Sequence, residues 1–107
     1  MCSPESQDTE RVMVDFLRTD ELTVDCILDE RHKTYGSFMD VAAVACALRA
    51  IIRDRRPDLM PDQEEALTMI CNKIARITNG DANHLDSWRD IAGYAQLVAD
   101  RLQGKVR

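Results

Sequence analysis

One segment of the sequence, residues 38–55, constrains the fold more than any other, because it is apolar on nearly every side of a predicted helix. One face carries apolar residues at a spacing of three and four: Val41, Val44, Ala45, Leu48, Ile51 and Ile52. The other side is small and apolar as well, with Met39, Ala43, Cys46, Ala47 and Ala50. A helix of this kind is buried on most sides, so we expect it to be the central element.

Helix signals dominate the rest of the chain and strand signals are almost absent. No stretch combines alternating polarity with β-branched or aromatic residues and turn residues. At 107 residues the chain is near the size of one domain. The sequence therefore predicts a single all-α domain over residues 1–107, a compact bundle of four to five helices. Besides the central helix we expect a flexible tail at residues 1–8 and helices at about 9–17, 20–31, 61–78 and 86–103.

Local chemistry predicts where several of these helices begin and end. Ser37 has the side chain of an N-cap for the central helix. Asn79–Gly80 is expected to end the helix before it in a left-handed cap, a conformation that both residues tolerate. Asp86 or Ser87 is expected to cap the last helix.

Charge, hydropathy and cysteine usage exclude several classes of protein. The formal net charge is -5 and no dense Lys/Arg run occurs, which argues against binding of long nucleic acids. No run of about 18 apolar residues occurs, so we expect a protein that is neither secreted nor membrane-spanning. The four cysteines lack metal-ligand spacing and are interpreted as reduced thiols of a cytoplasmic protein: Cys2, and the buried Cys26, Cys46 and Cys71. The isolated His32 and His84 are predicted to be exposed.

The last two predicted helices each carry a second, mixed face beside their apolar stripe. Lys73 and Arg76 place two like charges three residues apart, which favours a carboxylate or phosphate partner. Asp86 and Asp90 precede Gly93, whose cost in a helix is roughly 0.5–1 kcal/mol relative to alanine. We therefore expect another backbone or a ligand to approach there. The second faces predict at least a homodimer around an anion or metal site.

Simpler roles stay open for the same charges. Asp90 would complete a capping box that begins at Ser87, and Asp86 would be the N-cap itself. Lys73 and Arg76 would favour the negative end of their helix. In this interpretation the carboxylates and cations only pair with each other.

Three stretches carry a resemblance. "RHKTYGSF", "EEALTMICNKIARI" and "LDSWRDIAGYAQL" resemble a family of small, uncharacterised phage and prophage proteins. That family reads roughly R-x-x-x-YG, then K-[IL]-A-R, then D-S-W-x-D-[IL]-A-G-Y. The resemblance spans residues 31–97 and implies a phage-related protein in the host cytoplasm, without an established activity.

More distantly, carboxylates on two successive helices resemble the MazG-like all-α nucleoside triphosphate pyrophosphohydrolases. In those proteins the motifs E-x-x-E and E-x-x-D bind magnesium at a dimeric helical bundle. Here Asp62 and Glu65 stand for the first motif and Asp86 with Asp90 for the second, although Asp replaces Glu twice and the second pair is four residues apart. The resemblance implies Mg²⁺ held by Glu65, Asp86 and Asp90.

The expected function is magnesium-dependent hydrolysis of a (deoxy)nucleoside triphosphate to a monophosphate and pyrophosphate. Four residues are expected to bind the nucleotide or its phosphates: Lys33, Tyr35, Lys73 and Arg76. One alternative is a non-catalytic protein that sequesters a nucleotide, which needs the cations but no metal. The other alternative is a structural helical interaction module.

Overall fold

The computed structural model describes residues 16–107, with side-chain surroundings from residue 23 onward. Four helices follow one another: α1 (Phe16–Tyr35), α2 (Phe38–Arg55), α3 (Pro61–Asn79) and α4 (Leu85–Leu102). This part of the chain contains no strand, so the all-α prediction is confirmed. The predicted tail at 1–8 and most of the predicted helix at 9–17 lie outside the described residues.

Helix α1 is longer than the predicted helix at 20–31. Its last turn contains a hydrogen bond from the Thr34 hydroxyl to the carbonyl oxygen of Glu30, at 3.1 Å. Gly36 follows with φ +84°, a left-handed conformation that glycine adopts without steric cost, and its N–H donates to the His32 carbonyl. The turn to α2 is therefore only two residues long.

No single described helix has the length and apolar composition to cross a membrane. Residues 23–35 and 38–55 meet that criterion only as a pair, and the pair is bent by 58° at the turn.

Helix α3 is the element that contacts all the others: it packs between α2 and α4 and also touches α1. The bounds predicted for the central helix are confirmed, but its near-complete burial is wrong. Val41 and Ala45 are buried against α3, whereas Met39 and Ile51 on other sides of α2 are 74% and 60% exposed. The reason is topological: among the described residues, α3 and the end of α1 pack on one side of α2.

Ionic contacts attach α4 to α3. The Arg101 guanidinium donates two hydrogen bonds to the Asp62 carboxylate, at 2.7 and 2.8 Å, and so joins the end of α4 to the start of α3. This contact holds the pKa of the Asp62 carboxyl below its usual value. Within α4 and the residues after it, the buried Asp100 carboxylate accepts a hydrogen bond from the Gln96 amide at 2.7 Å and forms an ion pair with Arg107 at the same distance.

The N-cap residue predicted for α2 is confirmed, whereas the N-cap residues predicted for α4 are wrong. Ser37 is the N-cap of α2, although its side chain makes no capping hydrogen bond. Helix α4 begins one residue earlier than expected, with His84 as N-cap, so neither Asp86 nor Ser87 caps it. Trp88, in the first turns of α4, is 52% exposed, and its indole N–H donates to the Ala82 carbonyl.

Two glycines let the α1–α2 turn lie directly against the end of α3. A Cβ atom on Gly36 would overlap the carbonyl of Asn79, and one on Gly80 would overlap the backbone of Thr34 and Tyr35. The N–H of the next residue, Asp81, donates to the Thr34 carbonyl at 2.6 Å. Gly80 has φ -137°, so the left-handed cap predicted at Asn79–Gly80 is wrong. Glycine is required there for space, not for its conformation.

Gly93 shows the opposite behaviour. A Cβ atom at this position would meet nothing within 4 Å, so the described residues do not provide the close backbone approach expected from the sequence.

Alanine substitutions at these three glycines should change the free energy of unfolding in opposite directions. Gly36→Ala and Gly80→Ala should each lower the free energy of unfolding by about 1–3 kcal/mol, through backbone overlap and, at Gly36, through strain. Gly93→Ala should raise it by about 0.5–1 kcal/mol, because alanine loses less backbone entropy in a helix. Urea denaturation measures all three, and equal effects at the three positions would contradict the packing described.

Candidate functional site

A cleft of about 470 Å³ opens between the end of α1, the start of α2 and the C-terminal half of α3. Its volume is within the range of small-molecule sites in proteins. The lining residues are Leu28, Arg31, His32, Tyr35, Gly36, Phe38, Val41, Asn72 and Arg76. Gly36 packs against the Asn79 backbone, and Gly80 packs against the backbone of Thr34 and Tyr35. This packing brings the end of α1 to the end of α3 and so forms the cleft.

Tyr35 positions a guanidinium on the wall of the cleft. The Cζ atom of Arg76 lies 4.4 Å from the centroid of the Tyr35 ring, a cation–π contact. On the His84 side, the Tyr35 hydroxyl lies 3.4 Å from Nε2, and the two rings meet edge to face at 5.5 Å between centroids. Tyr35 is thus held by two neighbours. A stacked guanidinium still presents N–H donors at its edge, in a geometry that suits phosphate.

Further polar residues stand one helical turn away from this pair. Arg31 precedes Tyr35 by four residues on α1, and Asn72 precedes Arg76 by four on α3, so each pair shares a helix face. Leu28 and Phe38 add apolar surface and are 55% and 83% exposed. The cleft therefore combines cationic donors with exposed apolar walls.

The predicted nucleotide-binding residues divide into two groups. Tyr35 and Arg76 line the cleft, together with His32, which is exposed as expected. Lys33 is exposed and lies outside the lining. Lys73 is buried near α4, and its ammonium forms an ion pair with the Asp90 carboxylate at 2.9 Å.

The three carboxylates proposed as magnesium ligands are dispersed. Glu65 and Asp86 are exposed, and Asp90 is the partner of Lys73. Among residues 23–107, no group of three His, Cys, Asp or Glu side chains is arranged to hold a metal ion. Glu65, Asp86 and Asp90 of one described chain therefore do not converge. Asp62, from the same motif, is bound to Arg101.

Several features of the cleft were not predicted. Arg31, Asn72 and Phe38 had no assigned role, although the i, i+4 spacing of Arg31 with Tyr35 and of Asn72 with Arg76 is visible in the sequence. His84 was expected to be exposed, but it is half-buried against Tyr35. Sequence spacing could not reveal this contact, because 49 residues separate the two rings.

None of the three cysteines in the described part of the chain lines the cleft. Cys71 is buried, as predicted, and burial raises the pKa of its thiol. Cys26 is half-buried, and Cys46 is exposed, so the predicted burial of Cys46 is wrong.

A smaller cavity of about 180 Å³ lies at the other end of the α2–α3 pair. Arg49, Arg53 and Arg56 contribute to its lining, together with Glu64. The Arg56 side chain already donates to Asp58 at 3.1 Å and lowers the pKa of that carboxyl. The larger cleft, with its aromatic and apolar walls, is therefore the stronger candidate site.

Comparison with known protein families identifies a match over most of the chain. The model of a family described as "Domain of unknown function (DUF6378)" matches residues 21–102, which include all of α2, α3 and α4 and most of α1. No curated protein and no solved structure matches the chain.

We expect the ion pair of Lys73 and Asp90 to stabilise the folded protein. Asp90→Ala should lower the free energy of unfolding by about 1–3 kcal/mol, because it leaves a buried ammonium without its acceptor. Asp86→Ala is the matched control, since this exposed carboxylate in the first turn contributes at most about 1 kcal/mol through the helix dipole. Chemical denaturation measures both, and a loss at Asp90 no larger than at Asp86 would contradict a structural role for the pair.

Proposed function

The chain belongs to the DUF6378 family, whose description assigns no activity, and we propose that it is a nucleotide-binding protein whose site is the cleft between α1, α2 and α3. The observation that carries this proposal is the Arg76 guanidinium stacked on Tyr35 in the wall of a cleft of about 470 Å³. A fixed guanidinium beside open space is suited to hold an anionic group of a ligand.

The phosphates of the nucleotide bind at the cationic side of the cleft. Arg76 donates from α3 and Arg31 from α1, so two helices hold the anion. Asn72, one turn from Arg76, adds an amide donor. The chain carries a net charge of -5, so attraction of an anion depends on such a local group of cations rather than on the overall field.

The base binds at the apolar side. Phe38 lies at the start of α2, and 83% of its surface is exposed, which leaves its ring available for stacking. Stacking of a base on an aromatic side chain is worth about 1–3 kcal/mol. Leu28 extends the same apolar wall. A nucleotide uses both sides of the cleft, whereas inorganic phosphate would use only the cations.

Binding of this kind needs no metal. The carboxylates that would hold magnesium do not converge among the described residues, while the cations and the aromatic ring do. These features favour a protein that binds or sequesters a nucleotide, in a phage-related setting, over one that hydrolyses it.

Calorimetry in the presence of a metal chelator tests the binding proposal. A panel of ribo- and deoxyribonucleotides should include at least one ligand, and Arg76→Ala should weaken its binding by about tenfold to a hundredfold, as expected for loss of a charge-assisted hydrogen bond. Arg89→Ala is the matched control, because Arg89 is exposed on α4 and does not line the cleft. No binding across the panel, or equal losses in the two variants, would overturn the proposal.

Magnesium-dependent pyrophosphohydrolysis is the second candidate, and it rests on the resemblance to MazG-like enzymes. Its structural support is that Glu65 and Asp86 are exposed and accessible to a metal. A second copy of the chain would have to bring these carboxylates together, since one described chain does not.

This second candidate has its own test. Wild-type protein with magnesium should release pyrophosphate from at least one nucleoside triphosphate, and Glu65→Gln should abolish the release by removing a carboxylate ligand. Glu64→Gln, on the neighbouring exposed residue, should keep it. Absence of release from all common nucleotides would leave binding as the function.

A further inference from the structure

The smaller cavity, between the end of α2 and the start of α3, combines apolar walls with several polar side chains. Its volume of about 180 Å³ is below the range of about 300–1,000 Å³ that is usual for drug-sized ligands, so it suits a small molecule. The two helices and the loop between them contribute the apolar walls: Ile52, Pro57, Leu59 and Leu67. Sites for small molecules typically consist of such walls and a few polar groups that orient the ligand.

Three of the polar side chains that line this cavity have no partner among residues 23–107. They are Arg53 on α2 and Glu64 and Thr68 on α3, and none of them forms a side-chain hydrogen bond or an ion pair. The half-buried Thr68 differs in this from Thr34 and Thr78, whose hydroxyls donate to a carbonyl oxygen four or three residues back in the helix. Polar groups without a partner at one cavity are available to a ligand.

The charges at the cavity select a ligand that carries both signs. Arg49 and Arg53 lie four residues apart on one face of α2, and Arg49 uses one of its five N–H donors on the Cys46 sulfur at 3.1 Å. The Arg56 guanidinium is already paired with a carboxylate of the loop. Glu64 on α3 brings a negative charge to the same cavity and would repel a ligand with anionic groups alone. A ligand with cationic groups alone would be repelled by the arginines.

We propose that this cavity binds a free α-amino acid with an apolar side chain. The ligand carboxylate accepts hydrogen bonds from Arg49 and Arg53, and its ammonium group donates to the Glu64 carboxylate and the Thr68 hydroxyl. Its side chain packs on the apolar wall that includes Leu67. None of these residues lines the cleft that is proposed for the nucleotide, so the amino-acid site stands independently of that function.

Calorimetry on the full chain, in a buffer without carboxylates, tests this proposal. At least one of leucine, isoleucine, valine, methionine and phenylalanine should bind. Its N-acetyl derivative lacks the ammonium charge and its amide lacks the carboxylate, so each should bind at least about tenfold more weakly, as expected for loss of a charge-assisted hydrogen bond. This comparison uses the wild-type protein and therefore does not depend on the folding of any variant.

Two variants locate the ligand in the cavity. Arg53→Ala should weaken binding of the amino acid by about tenfold or more. Arg55→Ala is the matched control and should keep the affinity, because Arg55 is exposed on the same helix and does not line the cavity. Glu64→Gln should reduce the preference for the amino acid over its N-acetyl derivative, which a purely structural role of Glu64 would not do.

Three results would overturn the proposal. The first is that none of these amino acids binds. The second is an N-acetyl derivative that binds as tightly as the amino acid, since the site would then recognise a carboxylate alone, such as the C-terminal end of a peptide. The third is equal affinity of wild-type protein and Arg53→Ala, which would place the ligand outside this cavity.

Discussion

The structure depends on one steric constraint, the contact of backbone with backbone where the α1–α2 turn meets the end of α3. Gly36 lies on the carbonyl of Asn79, and Gly80 lies on the backbone of Thr34 and Tyr35, so no side chain fits between them. The hydrogen bond from Asp81 to Thr34 closes the junction. The junction places Tyr35, the last residue of α1, against α3, where its ring contacts the Arg76 guanidinium.

The charged residues of the last two helices serve two different purposes. Lys73 and Asp90 attach α4 to α3, and Asp62 with Arg101 makes a second attachment at the other end of the same helix pair. These four charges neutralise each other and stabilise the packing. Arg76, only three residues from Lys73, lies on another side of α3 and turns towards α1. Lys73 and Arg76, which the sequence suggested belong to one site, thus lie in two places: Lys73 in a contact between helices and Arg76 in the candidate cleft.

The sequence was sufficient to predict where the helices lie, but it was not sufficient to predict which of their faces are buried. Residues 38–55 were bounded correctly because Gly36, Ser37 and the loop before Pro61 act locally, through turn and cap chemistry. The burial of α2 was overestimated because periodicity shows which face is apolar, but not whether a neighbour covers it. Tyr35 and Arg76 were singled out from separate motifs, and their contact depends on two glycines distant in sequence. Gly93, which gave the clearer signal of close approach, has open space around it in the part of the chain that the structure describes.

We propose that this junction builds an anion site around Tyr35 and Arg76. The most direct measurement is a nuclear magnetic resonance titration of the isotope-labelled full chain with a nucleotide, in the presence of a metal chelator. The Arg76 Nε–H resonance, the Tyr35 ring resonances and the Asn72 side-chain amide resonances should shift together and saturate at one ligand concentration. Shifts confined to the cavity at Arg49 and Arg53, with the Tyr35 and Arg76 resonances unchanged, would contradict it.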